Sequence, residues 1–397
     1  MDFQSAFLQG EEVTGDIFIK PPKEANTKCL WKLNRHVYGL KQASRKWYNR
    51  VSSELKASGL TKSKMDEALF FFHRDEQLRG LVAGHVDDFF WSGTMELEEK
   101  AIKKLTETFH ISSDLHDSFN FLGLDFDQTQ NAIEIDQSIY AEGIQFVPCV
   151  DKQDKFRMLS EEEKVPLRSV IGQLCWIANQ TRPDIAYDVC QLSVRYNNAQ
   201  VLDILNANKT IKKIKSNSLN LKYPKLVYDG KFILKVFSDS SHNNLPNGGS
   251  QGGFVIFLCD VEDNAALIQW QSKRIRRVAK STLAAECLAM EDAVDAAFYV
   301  KCVLQEMLCV EPKNIELKCY IDNKSLYDNL HSSTNVKEEK RLVLDIALLK
   351  EMMEKEEITS VTLVDTKDQL ADCLTKQGAS SEKLRGVIQH GNLLEVL

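Results

Sequence analysis

The sequence predicts a mixed protein, α+β in its first part and α/β in its last, and three observations carry that prediction. The chain has 397 residues, and at roughly 150 residues per domain that is two or three domains. Two apolar runs, Leu81-Val82-Ala83-Gly84 and Phe89-Phe90-Trp91, meet at Asp87-Asp88, the pattern of a β-hairpin with two carboxylates at its tip. From about 234 onward, strand-like and helix-like stretches follow one another as βββαβαβα, the alternation of a mixed sheet with flanking helices.

Composition narrows the class. A hydrophobic fraction of 43% and a charged fraction of 27% are those of an ordinary soluble globular protein. No apolar run approaches the roughly 20 residues of a membrane helix, and Met1-Asp2-Phe3-Gln4-Ser5 has no signal-type core. The 10 cysteines are scattered without a Cys-x-x-Cys pair. That spacing indicates neither a disulfide framework nor a zinc module, and it fits reduced thiols in a cytosolic or nuclear protein. A net charge of −7 argues against nucleic acid when averaged over the chain. Locally the balance reverses. Lys273, Arg274, Arg276, Arg277 and Lys280 crowd eight positions that hold no acid, and the basic stretch Arg35 to Arg50 is interleaved with Tyr38, Trp47 and Tyr48. Cations with aromatic rings suit a phosphate backbone with stacked bases; a solvated basic face is the alternative.

In chain order, Asp2 opens a strand end. A short helix at Ala6-Phe7-Leu8 and a strand at Ile17-Phe18-Ile19 follow, stopped by Pro21-Pro22. A short strand covers 29–33. Trp47, Val51 and Leu55 recur every four residues and predict a helix running to about Ser58. The hairpin at 81–91 comes next, where a polar turn and a magnesium site both fit Asp87-Asp88 taken alone. A charged helix spans about 95–109, and a second hairpin joins Phe119–Phe126 to Ala132–Ile135. Residues 150–165 read as a linker, Leu167 to Ala199 as helices broken at Arg182-Pro183-Asp184, and 205–232, rich in Lys and Asn, as a weakly packed connector. Leu234 to Asp239 is a strand ending in a carboxylate; two more strands lie at 252–258 and 266–271. Ser281 or Thr282 caps a long helix with Glu286 in its first turn. Ile315 to Ile321 is a strand ending in Asp322. A helix near 336–356, a strand near 360–364 and a last helix bearing Asp372 complete the order.

The first half resembles the reverse transcriptase of copia-type (LTR) retrotransposons. Asp2 with Ala6-Phe7-Leu8-Gln9-Gly10, Tyr38-Gly39-Leu40-Lys41-Gln42 with Arg45 and Trp47-Tyr48, His85-Val86-Asp87-Asp88, and Phe121-Leu122-Gly123-Leu124 are similar to four of that family's blocks in their order. The resemblance implies a palm-like domain. Asp2 and Asp87 would bridge two Mg2+ or Mn2+ ions, with Asp88 as the third family aspartate. Gln42 and Arg45 would contact nucleotide and template, and Gly123 would lie in the primer-grip hairpin. RNA template, DNA primer and deoxynucleoside triphosphates are the implied partners. His85 stands where the family usually has Tyr. The second half resembles RNase H: Asp239, Glu286, Asp322 and Asp372 match its four acids, and Asp368-Gln369-Leu370-Ala371-Asp372 with Leu374-Thr375-Lys376 matches its copia-type form. Four like charges in one place repel unless cations intervene. The implied reaction is therefore two-metal hydrolysis of RNA in an RNA–DNA hybrid, with Lys273, Arg274, Arg276 and Arg277 against the hybrid backbone.

The expected organisation is a palm at 1–150, a helical thumb or connection with linker at 151–232, an RNase H-like domain at 233–380 and a C-terminal tail at 381–397. Because the sequence starts one residue before Asp2, the fingers strands of the family are missing from it, and the expectation is a truncated polyprotein fragment with an impaired polymerase half. Two other readings stand beside it: a nuclease with a dead palm, and a non-catalytic remnant that binds nucleic acid through its basic patches.

Overall fold

Phe3, Trp47, Phe89 and Phe109 meet edge to face, with ring centroids 5.0 to 5.6 Å apart. Such pairs stabilise beyond their buried area, and this cluster is the centre of the first of two units. The computed structural model describes residues 1–149, 153–245, 248–332 and 340–394. They divide into Met1–His116 with Cys302–Val310, and Asp117–Lys301 with Glu311–Leu397.

The first unit holds strands β1 (Asp2–Phe3), β2 (Phe18–Ile19), β3 (Trp31–Lys32), β4 (Thr61–Lys62), β5 (Leu69–Arg74), β6 (Gln77–His85), β7 (Asp88–Gly93) and β8 (Ile111–Ser113). Six of them form one antiparallel sheet in the order β4-β5-β6-β7-β1-β8, and β2 pairs with β3 separately. Helix α1 (Ala43–Ala57) buries Trp47, Val51 and Leu55, the residues whose four-residue spacing predicted it. The charged helix at 95–108 is two short α segments, α2 (Met95–Leu97) and α3 (Lys103–Thr108), joined by a π-turn at Glu98–Ile102. Its Leu97, Ala101, Ile102 and Leu105 complete the core.

In the second unit β9 (Ser118–Phe121), β10 (Leu124–Gln128), β11 (Ala132–Asp136) and β12 (Leu221–Pro224) make an antiparallel sheet ordered β12-β11-β10-β9. Here the sequence reading needs a correction, since 119–126 is two strands rather than one. Leu122 (φ 51°) and Gly123 (φ 75°) form the two-residue turn between them. Glycine adopts that conformation freely, whereas leucine there gives no sequence signal. Helices α4 (Ser138–Gly143), α5 (Glu161–Gln180), α6 (Ala186–Arg195) and α7 (Val201–Ser216) share a core that includes Leu167, Leu174, Val189, Ile204 and Ile211. Two further corrections arise here. The linker ends earlier than expected, because Ser160 and Glu163 cap α5 reciprocally. Part of the supposed weak connector is α7, whose Ile204, Ala207, Ile211 and Ile214 are buried.

The last sheet holds β13 (Phe232–Leu245), β14 (Gly249–Cys259), β15 (Ala265–Arg274), β16 (Ile315–Ile321) and β17 (Ser360–Leu363), in the order β15-β14-β13-β16-β17. The first three strands are antiparallel; β16 and β17 run parallel to β13 and β16. Helices α8 (Thr282–Leu308), α9 (Lys324–His331), α10 (Lys340–Glu354) and α11 (Glu382–His390) accompany it. The segment set apart as a tail includes α11, whose Leu384, Val387 and Ile388 are buried in the core with Phe237 and Phe257. Asp372 sits on a single 3-10 turn, Asp372–Leu374, not on a last helix. Among the described residues no helix is long and apolar enough to cross a membrane.

Candidate active sites

Strand register places the first two acids of the second unit. β13 and β16 run parallel with Phe237 opposite Tyr320, so Asp239 and Asp322, each two residues further on, come side by side at the same edge. Glu286 arrives from α8. Ser281 caps that helix, its side-chain oxygen accepting from the Ala284 N–H at 3.1 Å, which puts Glu286 in the second turn rather than the first. One ligand oxygen from each of Asp239, Glu286 and Asp322 lies within 4.8 Å of the others, the sole such set of three or more among the described residues. Asp239 is 1% and Glu286 4% exposed.

Each acid is held by neighbours. Thr375 donates its hydroxyl to Asp239 Oδ2, and Lys376 Nζ stands 3.5 Å from Asp239 Oδ1 while also bonding Asp372 Oδ1. The Ser240 N–H donates to Glu286 Oε1 at 3.3 Å, but Glu286 Oε2 is buried without a partner. Burial pushes the Asp239 carboxyl up to about 6 against the pull of Lys376 and Thr375, with Asp322 and Asp372 adding repulsion. Burial and then the charge of Asp239 push Glu286 well above the usual carboxylate range. Burial works against the Lys376 ammonium, yet Asp239, Asp372 and Asp322 hold its pKa above that of a free lysine. Crowded carboxylates with an orphaned buried oxygen fit a hard divalent cation, which takes oxygen ligands. Asp372 lies outside the three-acid set. Thr375 and Lys376 belong to the motif Leu374-Thr375-Lys376, and the sequence signal for the contact is a lysine four residues after an acid.

The hairpin acids of the first unit are arranged differently. Asp2 on β1 pairs with Asp88 on β7. Val86 and Asp87 are the two turn residues, with Val86 at φ 59°. The tip is clamped: Trp47 donates to the Val86 carbonyl at 2.6 Å, the Phe3 N–H to the Asp87 carbonyl at 3.0 Å, and the Tyr38 hydroxyl to Asp87 Oδ2 at 2.9 Å. Ser112 donates to Asp2 Oδ2. Burial, then Asp2 and Asp87, raise the pKa of Asp88. Burial first, and then Asp87, do the same for Tyr38. Asp2, Asp87 and Asp88 do not bring three ligand oxygens within 4.8 Å of one another. Sequence reasoning missed Ser112; it placed Tyr38 in a basic aromatic stretch and in a block similar to the family's, without pairing it with Asp87. Gln42 precedes the first turn of α1 and Arg45 is exposed on it.

The basic residues before α8 divide into two kinds. Lys273 pairs with Asp292 at 3.0 Å, and Arg277 grips Asp345 at 2.8 Å with Glu291 at 4.0 Å. Arg274, Arg276 and Lys280 are exposed. Gly123, in the β9–β10 turn, accepts at its carbonyl oxygen a hydrogen bond from the Gln137 side-chain amide at 3.3 Å.

The palm-type antiparallel sheet with acids at a hairpin tip, followed by a β15-β14-β13-β16-β17 sheet with an acid cluster at its edge, defines a reverse transcriptase-like region followed by an RNase H-like domain. Comparison with known proteins agrees. Residues 1–148 match the family described as reverse transcriptase (RNA-dependent DNA polymerase). The chain is 27% identical over 301 residues to the transposon Ty5-1 protein of Saccharomyces cerevisiae, covering 70% of this chain and 94% of that one. It is 26% identical to the retrovirus-related Pol polyprotein from transposon TNT 1-94 of Nicotiana tabacum, covering 95% of this chain and 29% of that one. The foamy viral protease-reverse transcriptase, solved in complex with RNA/DNA hybrid, superposes over 96% of this chain and 45% of its own, at a TM-score of 0.53 and 14% identity. Over nearly its whole length the chain is similar to the Pol polyprotein region of copia/Ty1-type retrotransposons, with the reverse transcriptase family matched over residues 1–148 and an RNase H-like fold after it; it spans 29% of the length of the tobacco polyprotein.

Proposed function

We propose that this chain hydrolyses the RNA strand of RNA–DNA hybrids at Asp239, Glu286, Asp322 and Asp372, and that its polymerase half works poorly by comparison. The observation that carries the nuclease reading is the gathering of three carboxylates within 4.8 Å, two of them buried, with Glu286 Oε2 unpartnered. Two Mg2+ or Mn2+ ions would supply the charge that activates a water and neutralises the phosphodiester. The chain's own part is to hold the acids rigidly before substrate arrives. Adjacent parallel strands fix the spacing of Asp239 and Asp322. Thr375 sets the rotation of the Asp239 carboxylate, and the Ser240 N–H sets that of Glu286. Arg274, Arg276 and Lys280, exposed just before α8, suit the hybrid backbone, with Lys273 and Arg277 reaching it less freely because acids already hold them.

For the polymerase half the family's roles transfer as a proposal: Asp2, Asp87 and Asp88 as the acids, Gln42, Arg45 and Gly123 toward nucleotide, template and primer. The impairment rests on the spacing of the acids: Asp2, Asp87 and Asp88 do not bring one ligand oxygen each within 4.8 Å of one another, as Asp239, Glu286 and Asp322 do. Ser112 and Tyr38 hold Asp2 and Asp87 in that arrangement. That observation also favours the second reading, a nuclease with a silent palm.

The test uses the whole chain with magnesium and, separately, with manganese. Labelled RNA is presented as a hybrid, as single strand and as duplex RNA, and a primed RNA template is supplied with deoxynucleoside triphosphates. Cutting confined to the hybrid with weak extension is expected. Vigorous extension would refute the impairment, and an uncut hybrid in both metals would refute the nuclease.

A further inference from the structure

We infer that Lys376 is a tethered cation that holds the place between Asp239 and Asp372, so that a second divalent ion enters the acid site by displacing it. The inference rests on the nuclease reading and goes beyond it, because it assigns a task to a residue that is not itself a ligand.

The geometry is local. The 3-10 turn Asp372–Leu374 brings Lys376 back over Asp372, its N–H donating to the Asp372 carbonyl at 3.2 Å. The ammonium then bridges two acids, bonding Asp372 Oδ1 and standing 3.5 Å from Asp239 Oδ1. Asp239 thus has both oxygens occupied, Oδ2 by the Thr375 hydroxyl and Oδ1 by Lys376. Glu286 on the other side keeps Oε2 without a partner. The site is therefore lopsided. Lys376 bridges Asp239 and Asp372, while Glu286 is met by a backbone donor, the Ser240 N–H.

Charge counting turns this into a sequence of events. Four carboxylates with Lys376 and one divalent ion come to one negative charge. A second divalent ion beside a resident ammonium brings the site to net positive and sets like charges against each other. The lysine side chain keeps 38% of its surface in solvent, so it has a way out that needs no unfolding. Once out, its flexible point charge suits a phosphate oxygen. Lys376 is a positioning residue in this account: it orders metal entry and keeps Asp239 and Asp372 apart from each other's charge beforehand.

The experiment measures Mn2+ binding to the full chain at fixed pH by the loss of the free-ion paramagnetic resonance signal, for wild type, K376M and K376R. Wild type is expected to show one strong and one weaker class of site. In K376M the weaker class should tighten by about tenfold or more while the strong class stays within about threefold, and K376R should resemble wild type. A merely structural lysine would not tighten a metal site, so an unchanged or weakened second class in folded K376M overturns the inference. Should K376M fail to fold, the wild type decides. Acylation of lysines, read by peptide mass spectrometry during a Mn2+ titration, should rise severalfold at Lys376 but not at Lys383 as the second class fills. A flat profile at Lys376 overturns the inference while leaving the nuclease reading intact. Wild type that binds no Mn2+ at all overturns both.

Discussion

Replacing Asp239 with Asn should make the metal-free protein more stable near neutral pH, although it removes an acid central to the site. The carboxyl is 1% exposed, and its pKa is pushed from an ordinary 3.8 to about 6. At 1.36 kcal/mol per unit, the ionised form costs the fold about 3 kcal/mol. That figure already includes the help Asp239 receives from Lys376 and Thr375. The sign follows from proton binding. Between pH 4 and 6 the folded chain holds a proton at this position that the unfolded chain has released, so stability falls as pH rises through that window and stays low above it. An amide does not titrate, so Asp239→Asn should lose this slope and gain about 2–3 kcal/mol at pH 7.5 over wild type, with little difference at pH 4. Glu286, also raised, leaves a residual slope in both proteins. Scanning calorimetry in chelator reads the result, at about 2–4 °C per kcal/mol for a domain of this size. Magnesium should raise the wild-type transition and leave that of Asp239→Asn nearly unmoved. A variant that is less stable than wild type at pH 7.5 in chelator, or that keeps the full pH slope, would refute the reasoning.

Three other outcomes follow from contacts. Gly253→Ala would place a methyl 2.7 Å from Leu374 Cβ and 2.9 Å from Thr375 Cγ2. It should cost about 1–3 kcal/mol and weaken Mn2+ binding by moving the turn that orients Asp239; unchanged binding in a calorimetric titration would sink this. Asp184 is buried among Arg182, Lys213 and Arg385, and although burial opposes its charge, those partners hold its pKa below the usual range. Asp184→Ala should destabilise by about 3–5 kcal/mol, because a buried guanidinium is left unpaired, and chemical denaturation checks it. Arg276→Ala should reduce hybrid affinity and lower the slope of log affinity against log salt by about 1, whereas Arg277→Ala, already bound to Asp345, should change the slope less; equal effects in a salt series would contradict the division.

The acids of the RNase H-like domain could be read from sequence because each falls at an element boundary that leaves a plain pattern. Val236-Phe237 before Asp239 and Tyr320-Ile321 before Asp322 are β-rich ends, and Ser281 marks the start of α8. The same patterns gave α1 from Trp47, Val51 and Leu55. What escaped was set by tertiary context. Leu122 at positive φ splits a run that reads as one strand, and the burial of α7 depends on partners from α5 and α6 that its Lys- and Asn-rich composition conceals. Lys376 was visible as a letter of a motif, yet its bridge between Asp239 and Asp372 needs the fold of a 3-10 turn that period-based reasoning does not resolve. Ser112 meets Asp2 across 110 positions, and only the pairing of β8 with β1 makes them neighbours.

Single-turnover cleavage of an RNA–DNA hybrid by the whole chain, compared with Glu286→Gln under the same magnesium, tests the central claim most directly. Glu286 offers the one buried carboxylate oxygen of the cluster without a protein partner, and an amide keeps its shape while removing its charge. Wild type should cut the RNA strand, and the folded variant should lose about a hundredfold to a thousandfold of the rate, the order lost when a principal electrostatic group is removed from a preorganised site. A folded Glu286→Gln protein that cuts the hybrid as fast as wild type would contradict the account.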